Sequence, residues 1–457
     1  MASPASRRSP AAIPRRELLR VGMLGGALGA GGGISLPQIL AARESAGAGA
    51  RSDRAVILLY LHGGPSHLET YDLKPDAPSS YRSIYAPIAT ATPGMEICEL
   101  FPGQAKLSDK LAILRGCHHT MSSHSDGGIT VLTGKAPTIA DPTSTSKSEH
   151  PDFGHVASHL RSSTPMPQYI ALPRAPYMTR PTYLGVHCQA LDAGDPATES
   201  YQSPIRIASG LSEDRLTHRR GLLRDMDSLR RGLDRSQLGV DRFRDLAFNL
   251  LSSPRVEEAF DLTKESDATR DAYGRNSWGQ SALLARRLAE AGAAVITMFM
   301  NTPLTGPEWT NWDDHIMNAG RPGHFGQYMS RRLPYLDQCL SALIEDIYRR
   351  GIDRQVLVVV MGEFGRTPRL SENANGVGRD HWPQAYSVLM SGGGLRTGQV
   401  IGATNGKGEY PTQRPTTPDD VLATIYRHLD IPPRTEFVHN GRPVRLLDRG
   451  EPIQELL

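Results

Sequence analysis

Four short stretches hold most of the side chains that could do chemistry. The first is His62-Gly63-Gly64-Pro65-Ser66-His67-Leu68-Glu69, with Asp72 just behind it. Its glycines let backbone approach a ligand closely, and its imidazoles and carboxylates suit a cation. The second runs Ser122-Ser123-His124-Ser125-Asp126-Gly127-Gly128 and leads into an apolar stretch closing on Leu132-Thr133-Gly134. A helix opening here would turn its free amides and positive end toward an anion and present His124 or Ser125 as a nucleophile. The third is Trp312-Asp313-Asp314-His315, with His324 further on. The fourth comes in two parts, Gly362-Glu363-Phe364-Gly365-Arg366-Thr367 and Arg379-Asp380-His381-Trp382.

Taken singly, an Asp-His pair is an ordinary hydrogen-bonded loop feature. Together, His62, Asp313, His315, Glu363, Asp380 and His381 make a mixed nitrogen and oxygen donor set for a divalent metal ion. Zinc, manganese or iron suits it, with calcium also open, and such an ion activates water or an ester oxygen. Arg366 adds a planar guanidinium that can grip an oxyanion through two hydrogen bonds, the alternative being a strand-end ion pair.

Residues this far apart in sequence meet only if the fold delivers them to one edge. Ala55 to Leu61 is a continuous apolar run ending at His62, as expected of a strand buried on both faces. Similar runs occupy 111–114, 169–172, 293–300, 355–361 and 385–390. Helical patterns lie between several of them: 281–291 stops at Gly292, and 336–350 stops at Gly351. This alternation predicts an α/β fold, a doubly wound and mostly parallel sheet with helices on both faces. Ligands in such sheets gather beyond the carboxyl ends of the strands. From about residue 136 to 270 the pattern turns to Pro/Ser/Thr-rich loops and then to an Arg-rich helical stretch over 211–260, which reads as an insertion or cap. Basic runs there, such as His218-Arg219-Arg220, read as a solvated helix face or as a surface toward an anionic substrate.

The composition, 39% hydrophobic and 22% charged, is that of a globular chain able to bury a core. Net charge is +3, with 51 basic against 48 acidic residues, which lacks the excess that drives phosphate-backbone binding, so no nucleic-acid partner is expected. Cys98, Cys117, Cys188 and Cys339 form no C-x-x-C pair and indicate neither a zinc ribbon nor a disulfide scaffold, leaving room for one long-range disulfide. The first fifty residues read as a twin-arginine signal peptide. Arg15-Arg16 precedes Leu18, Leu19 and Arg20, a glycine-rich apolar run follows, and small residues suited to cleavage come after it. An exported, periplasmic protein without a stable membrane span is the expectation, and residues 51–457 then form a single domain.

The stretches YLHGGPSHLETYDLKPD, DAYGRNSWGQSALLARRL, MGEFGRTP, GRDHWPQAYSVLMSGGG and GATNGKGEYPTQRPTTPDDVLATIYRHLDI resemble the exported "domain of unknown function fifteen-oh-one" family, from about Ala55 to Leu457. That family is regarded as sulfatase-like, within the alkaline phosphatase superfamily. The resemblance implies a superfamily pattern that this chain meets with substitutions. His62 stands where a metal-binding Asp ends the first strand. Thr133-Gly134 closes the helix that the nucleophile opens, pointing back to His124 or Ser125. Asp313 and His315 match the next Asp and His, Glu363-Phe364 replaces an Asp-His pair, and His381 beside Asp380 matches the final His. The sulfatase signature C-x-P-x-R is absent, since Cys117 is followed by His118 and His119. The expectation is an exported metal-dependent hydrolase of phosphate or sulfate esters. Ser125 or a metal-bound hydroxide would attack, with Arg366 and the amides near Gly127 steadying the anion. The rival is a non-catalytic protein that binds sulfated or phosphorylated glycans at the cell surface.

Overall fold

Strand β1, Ala55–Tyr60, has no exposed side chain, and its alternate residues enter two different cores. Ile57 and Leu59 face one layer of helices, while Val56, Leu58 and Tyr60 face the other. A strand covered on both sides reads as an unbroken apolar run because neither face can afford a polar residue. The computed structural model describes residues 53–161, 166–205, 253–306, 309–318 and 321–457. The signal segment, His218-Arg219-Arg220 and most of the Arg-rich stretch therefore lie outside the described residues.

Seven further strands join β1: β2 (Ala112–Cys117), β3 (Tyr169–Leu172), β4 (Leu191–Asp192), β5 (Val295–Phe299), β6 (Val356–Met361), β7 (Tyr386–Gly392) and β8 (Gln399–Ile401). Their order across the sheet is β8-β2-β7-β6-β1-β5-β3-β4. All run parallel except β7, which is antiparallel to both β6 and β2. Reversal of β7 brings its amino end to the edge where the other strands end. The segment just before it therefore arrives where His62 and Glu363 leave β1 and β6.

On one face lie helices α3 (Ser277–Glu290) and α4 (Phe325–Arg349); on the other lie α1 (His124–Thr133), α2 (Phe153–Leu160) and α5 (Pro418–His428). The mostly parallel sheet with helices on both faces is thus the predicted one. Within 136–270, β3 pairs with β5 inside the central sheet, and α2 packs on it, so this stretch contributes to the core as well as carrying loops. Ser52–Leu457 forms one compact unit. The four cysteines are free and buried, so the long-range disulfide does not form. Among the described residues no helix is long and apolar enough to cross a membrane.

Candidate metal centre

His62 leaves β1 through a turn that only glycine can make. Gly63 has φ +118°, and a Cβ there would come within 2.4 Å of the Asp313 backbone nitrogen. The missing side chain is what lets the segment carrying Asp313 lie directly against the end of β1. That segment is anchored by Trp312, which is fully buried. Its ring stacks on Trp278 at 5.6 Å, and Arg332 lies over it at 4.5 Å. Arg332 also pairs with buried Asp314 at 2.5 Å.

Glu363 follows β6 and is fully buried. Its Oε1 accepts hydrogen bonds from the Gly63 amide at 2.8 Å and from Nδ1 of His124 at 2.7 Å. His124 is the first residue of α1, whose N-cap Ser123 accepts from the Asp126 amide. Its other ring nitrogen, Nε2, lies 3.3 Å from Oδ2 of Asp313. One imidazole therefore spans two carboxylates. Burial alone would lower the His124 pKa, but hydrogen bonds to Asp313 and Glu363 outweigh it and raise it to about 9. Burial likewise favours the neutral Glu363 acid, yet His62 and His124 beside it hold the carboxyl at about 2. Asp313 is held well below the carboxylate range against its own desolvation, by hydrogen bonds from His124, His315 and His381 and by the Arg366 charge.

His381 is placed by a short ribbon in which Arg366 pairs with His381 and Gly365 with Trp382. Its Nδ1 donates to the Ser122 carbonyl at 2.6 Å, leaving Nε2 to face Oδ1 of Asp313 at 3.1 Å. His315 follows the same plan: Nδ1 bonds Asp380 at 2.7 Å, and Nε2 lies 3.0 Å from both Asp313 Oδ1 and His381 Nε2. An oxygen acceptor on Nδ1 fixes the tautomer whose Nε2 lone pair points inward, as metal-bound histidines require.

Two donor triads result, each with its ligand atoms within 4.8 Å of one another: His62, His124 and Glu363, and His124, Asp313 and His381. Neither ring nitrogen of half-buried His62 makes a well-formed hydrogen bond, and neither does Oε2 of buried Glu363, although Asn301 and Tyr60 stand beside them. Imidazole and carboxylate atoms this close together and this poorly hydrogen-bonded fit a cation, because without one their desolvation is only weakly compensated. Three imidazoles among the five donor residues argue for zinc, manganese or iron and against calcium, whose sites are built from oxygen.

The structure brings His62, His124, Asp313, His315, Glu363 and His381 together. Asp380 stands one layer out, bonded to His315 and to the Ser371 hydroxyl, so it holds the His315 ring rather than reaching the triads. Arg366 does not face an anion. It is fully buried, and its guanidinium donates to the carbonyls of Gly63, Gly64, Trp312 and Arg379 and to Asp313 Oδ1, clamping the three loops that carry the donors. Ser125 is not brought to the cluster either. Its hydroxyl is buried and bonds Asp126 Oδ1, because the helix turns it away one residue after His124. Phe364, where the resemblance leads one to look for an imidazole, packs its ring on His124 and His381 as an apolar wall. His324 caps α4 through Nδ1, and His67 bonds the Gly408 carbonyl, so both stay outside the triads.

Several contributors escaped the sequence reading. His119 bonds the Glu363 carbonyl at 2.6 Å while accepting from the Met121 amide, which steadies the backbone at Glu363. Phe299 and Tyr177 flank the His62 ring at 4.7 and 5.6 Å. Exposed Arg174 lies over Phe299 and exposed Lys147 over Tyr177, which puts two cations beside the rings that flank His62. Nothing in the periodicity singles these residues out.

No curated protein matches the chain. Solved structures similar to it include the PsFucS1 sulfatase from Pseudoalteromonas sp., at 12% identity and a TM-score of 0.38, covering 92% of this chain and 72% of that one. The phosphonate monoester hydrolase SpPMH from Silicibacter pomeroyi is 11% identical, with a TM-score of 0.33 and coverage of 83% and 73%. The lipoteichoic acid synthase LtaP from Listeria monocytogenes is 10% identical, with a TM-score of 0.35 and coverage of 89% and 80%. The family described as protein of unknown function (DUF1501) matches over residues 53–457, and the chain belongs to that family.

Proposed function

We propose that the chain is an exported hydrolase of phosphate or sulfate esters that uses one or two divalent cations. The observation that carries this reading is the pairing of half-buried His62 with buried Glu363, whose ring nitrogens and Oε2 have no well-formed hydrogen bonds, joined through His124 to the Asp313 and His381 triad. His62, His124 and Glu363 would hold one cation, and Asp313 and His381, with His315 beside them, would hold a second. A bound cation there supplies Lewis acidity and an activated water.

The chain's own residues do the rest. Asp380 and the Ser122 carbonyl fix which nitrogen His315 and His381 present. Arg366 holds the donor loops in register, and Phe364 keeps water from the inner side. Arg174 and Lys147 draw an anionic ester to the mouth, a role that exposed guanidinium and ammonium groups suit and the saturated Arg366 does not. His124 stands at a helix start, where amides and dipole favour negative charge.

The test is metal analysis of the purified exported protein joined to a screen of aryl phosphates, phosphonates and sulfates. Turnover should vanish on chelation and return with zinc or manganese, and His62→Ala should lose both metal and turnover. A protein without bound metal and without turnover after metal addition would overturn the reading and leave the glycan-binding alternative.

A further inference from the structure

We propose that His159, His187 and Cys188 form a second, separate metal site, taking a zinc-class cation through two imidazoles and one thiolate. The three residues come from two segments. His159 sits in the last turn of α2, and His187 and Cys188 end the second of two 3-10 turns between β3 and β4, Val186–Cys188. One ring nitrogen of each histidine and the Cys188 sulfur all lie within 4.8 Å of one another. The sulfur is buried and stands 3.7 Å from His159 Nδ1. The two imidazole rings are 5.8 Å apart, and Phe437 packs edge-on against His159 at 5.6 Å.

Local backbone explains how His187 reaches in. Gly185 has φ +92°, and a Cβ built there would lie 3.1 Å from His187 Nδ1, so the ring folds back over a position kept free of side chain. Two nitrogens and one sulfur are a borderline-to-soft donor set, which selects zinc or copper over calcium or magnesium. Three protein donors leave one corner of a tetrahedral centre for water, consistent with the exposed position of His187 at the surface.

The cation would staple the end of α2 to the β3–β4 connection. That same connection carries Tyr177, whose ring stands edge-on to His62. Fixing the connection therefore fixes one wall of the candidate centre, without any residue being shared between the two sites.

Cobalt(II) is the probe, because a thiolate bound to it gives a near-ultraviolet charge-transfer band. The His62 centre contains no cysteine and cannot produce that band, so this test stands apart from the hydrolase reading. The whole exported protein loaded with cobalt should show the band. Cys188→Ser and His187→Ala should each abolish it and each bind one metal equivalent less than the parent. His187 is exposed, so His187→Ala alone decides the matter if Cys188→Ser does not fold. A parent without the band, or a His187→Ala protein that keeps the band or the full metal count, would overturn the proposal.

Discussion

At the scale of single residues, His124 is the member of the cluster that the others depend on. Each of its ring nitrogens meets a different carboxylate, at 2.7 and 3.3 Å, and no other side chain belongs to both triads. His124→Gln should therefore lower metal content at both triads and cost at least about 100-fold in turnover, more than loss of an outer-layer partner costs. Ser125→Ala, one residue further on, should stay within a few-fold of the parent, because the hydroxyl it removes is buried against Asp126. Side-by-side metal analysis and initial rates check the pair. If Ser125→Ala is as inactive as His124→Gln, the serine is the nucleophile after all. Asp380→Asn belongs to the same scale. It leaves every inner donor in place but weakens the hold on His315, so metal affinity should fall by roughly 10- to 100-fold with little change in melting temperature.

Elements place these residues, and two buried contacts show how. Arg379 and Glu69 are both fully buried and pair at 2.9 Å, tying the segment that leads to His381 onto the segment that follows His62. Glu69→Gln would leave the Arg379 charge buried with a weakened partner. Removing one side of such a pair costs about 3–5 kcal/mol, and a denaturant titration should show a loss of that order. At the opposite end of the sheet, His428 closes α5 by donating from Nε2 to the carbonyls of Ala55 at 3.0 Å and Gln355 at 3.2 Å, where β1 and β6 begin. Burial pushes its pKa down to about 4. Between the ordinary value near 6.5 and 4, the unfolded chain carries a proton on this ring that the native protein lacks. Stability therefore falls as pH drops through that window, by about 3 kcal/mol at most. His428→Gln keeps a donor and cannot titrate, so the difference in stability between parent and variant should shift with pH over this range. A difference that stays constant from pH 7 to 4 would sink the assignment.

For the whole molecule, the central consequence is that the site closes only when the sheet does. Its donors run from His62 to His381, on loops after β1, β5 and β6, on the start of α1 and just before β7. Cations held as proposed across these segments would bind the native state alone, so they should raise the melting temperature. At a free concentration of about 100 times the dissociation constant the stabilisation is about 2.7 kcal/mol. Calorimetry of chelated and reloaded protein measures this directly, and an unchanged transition would speak against a preformed site. The twin-arginine export expected from Arg15-Arg16 would fit the same logic, since that route carries proteins already folded and would let a metal be inserted first. Replacing Arg15 and Arg16 by lysine should leave uncleaved precursor in the cytoplasm.

Much of this was legible in the order of residues, for a local reason. Strands buried on both faces must be apolar throughout, so β1, β5 and β6 are visible as runs, and the apolar run at 169–172 has the boundaries of β3, Tyr169–Leu172. Elements whose limits depend on partners were harder. Helix α4 begins at Phe325, eleven residues before the expected start, because Pro334 and two arginines obscure its early turns until packing covers them. The donor types could be named in advance, since a residue's chemistry travels with its side chain. Their roles could not. Arg366 became a clamp, Asp380 an orienter, Ser125 a buried hydroxyl and His124 the shared centre because each role depends on where an atom points. Direction is set by a reversed β7, a glycine turn at Gly63 and a two-residue ribbon at Arg366 and His381. Those arrangements join segments as much as three hundred residues apart, beyond the reach of any periodicity within one element.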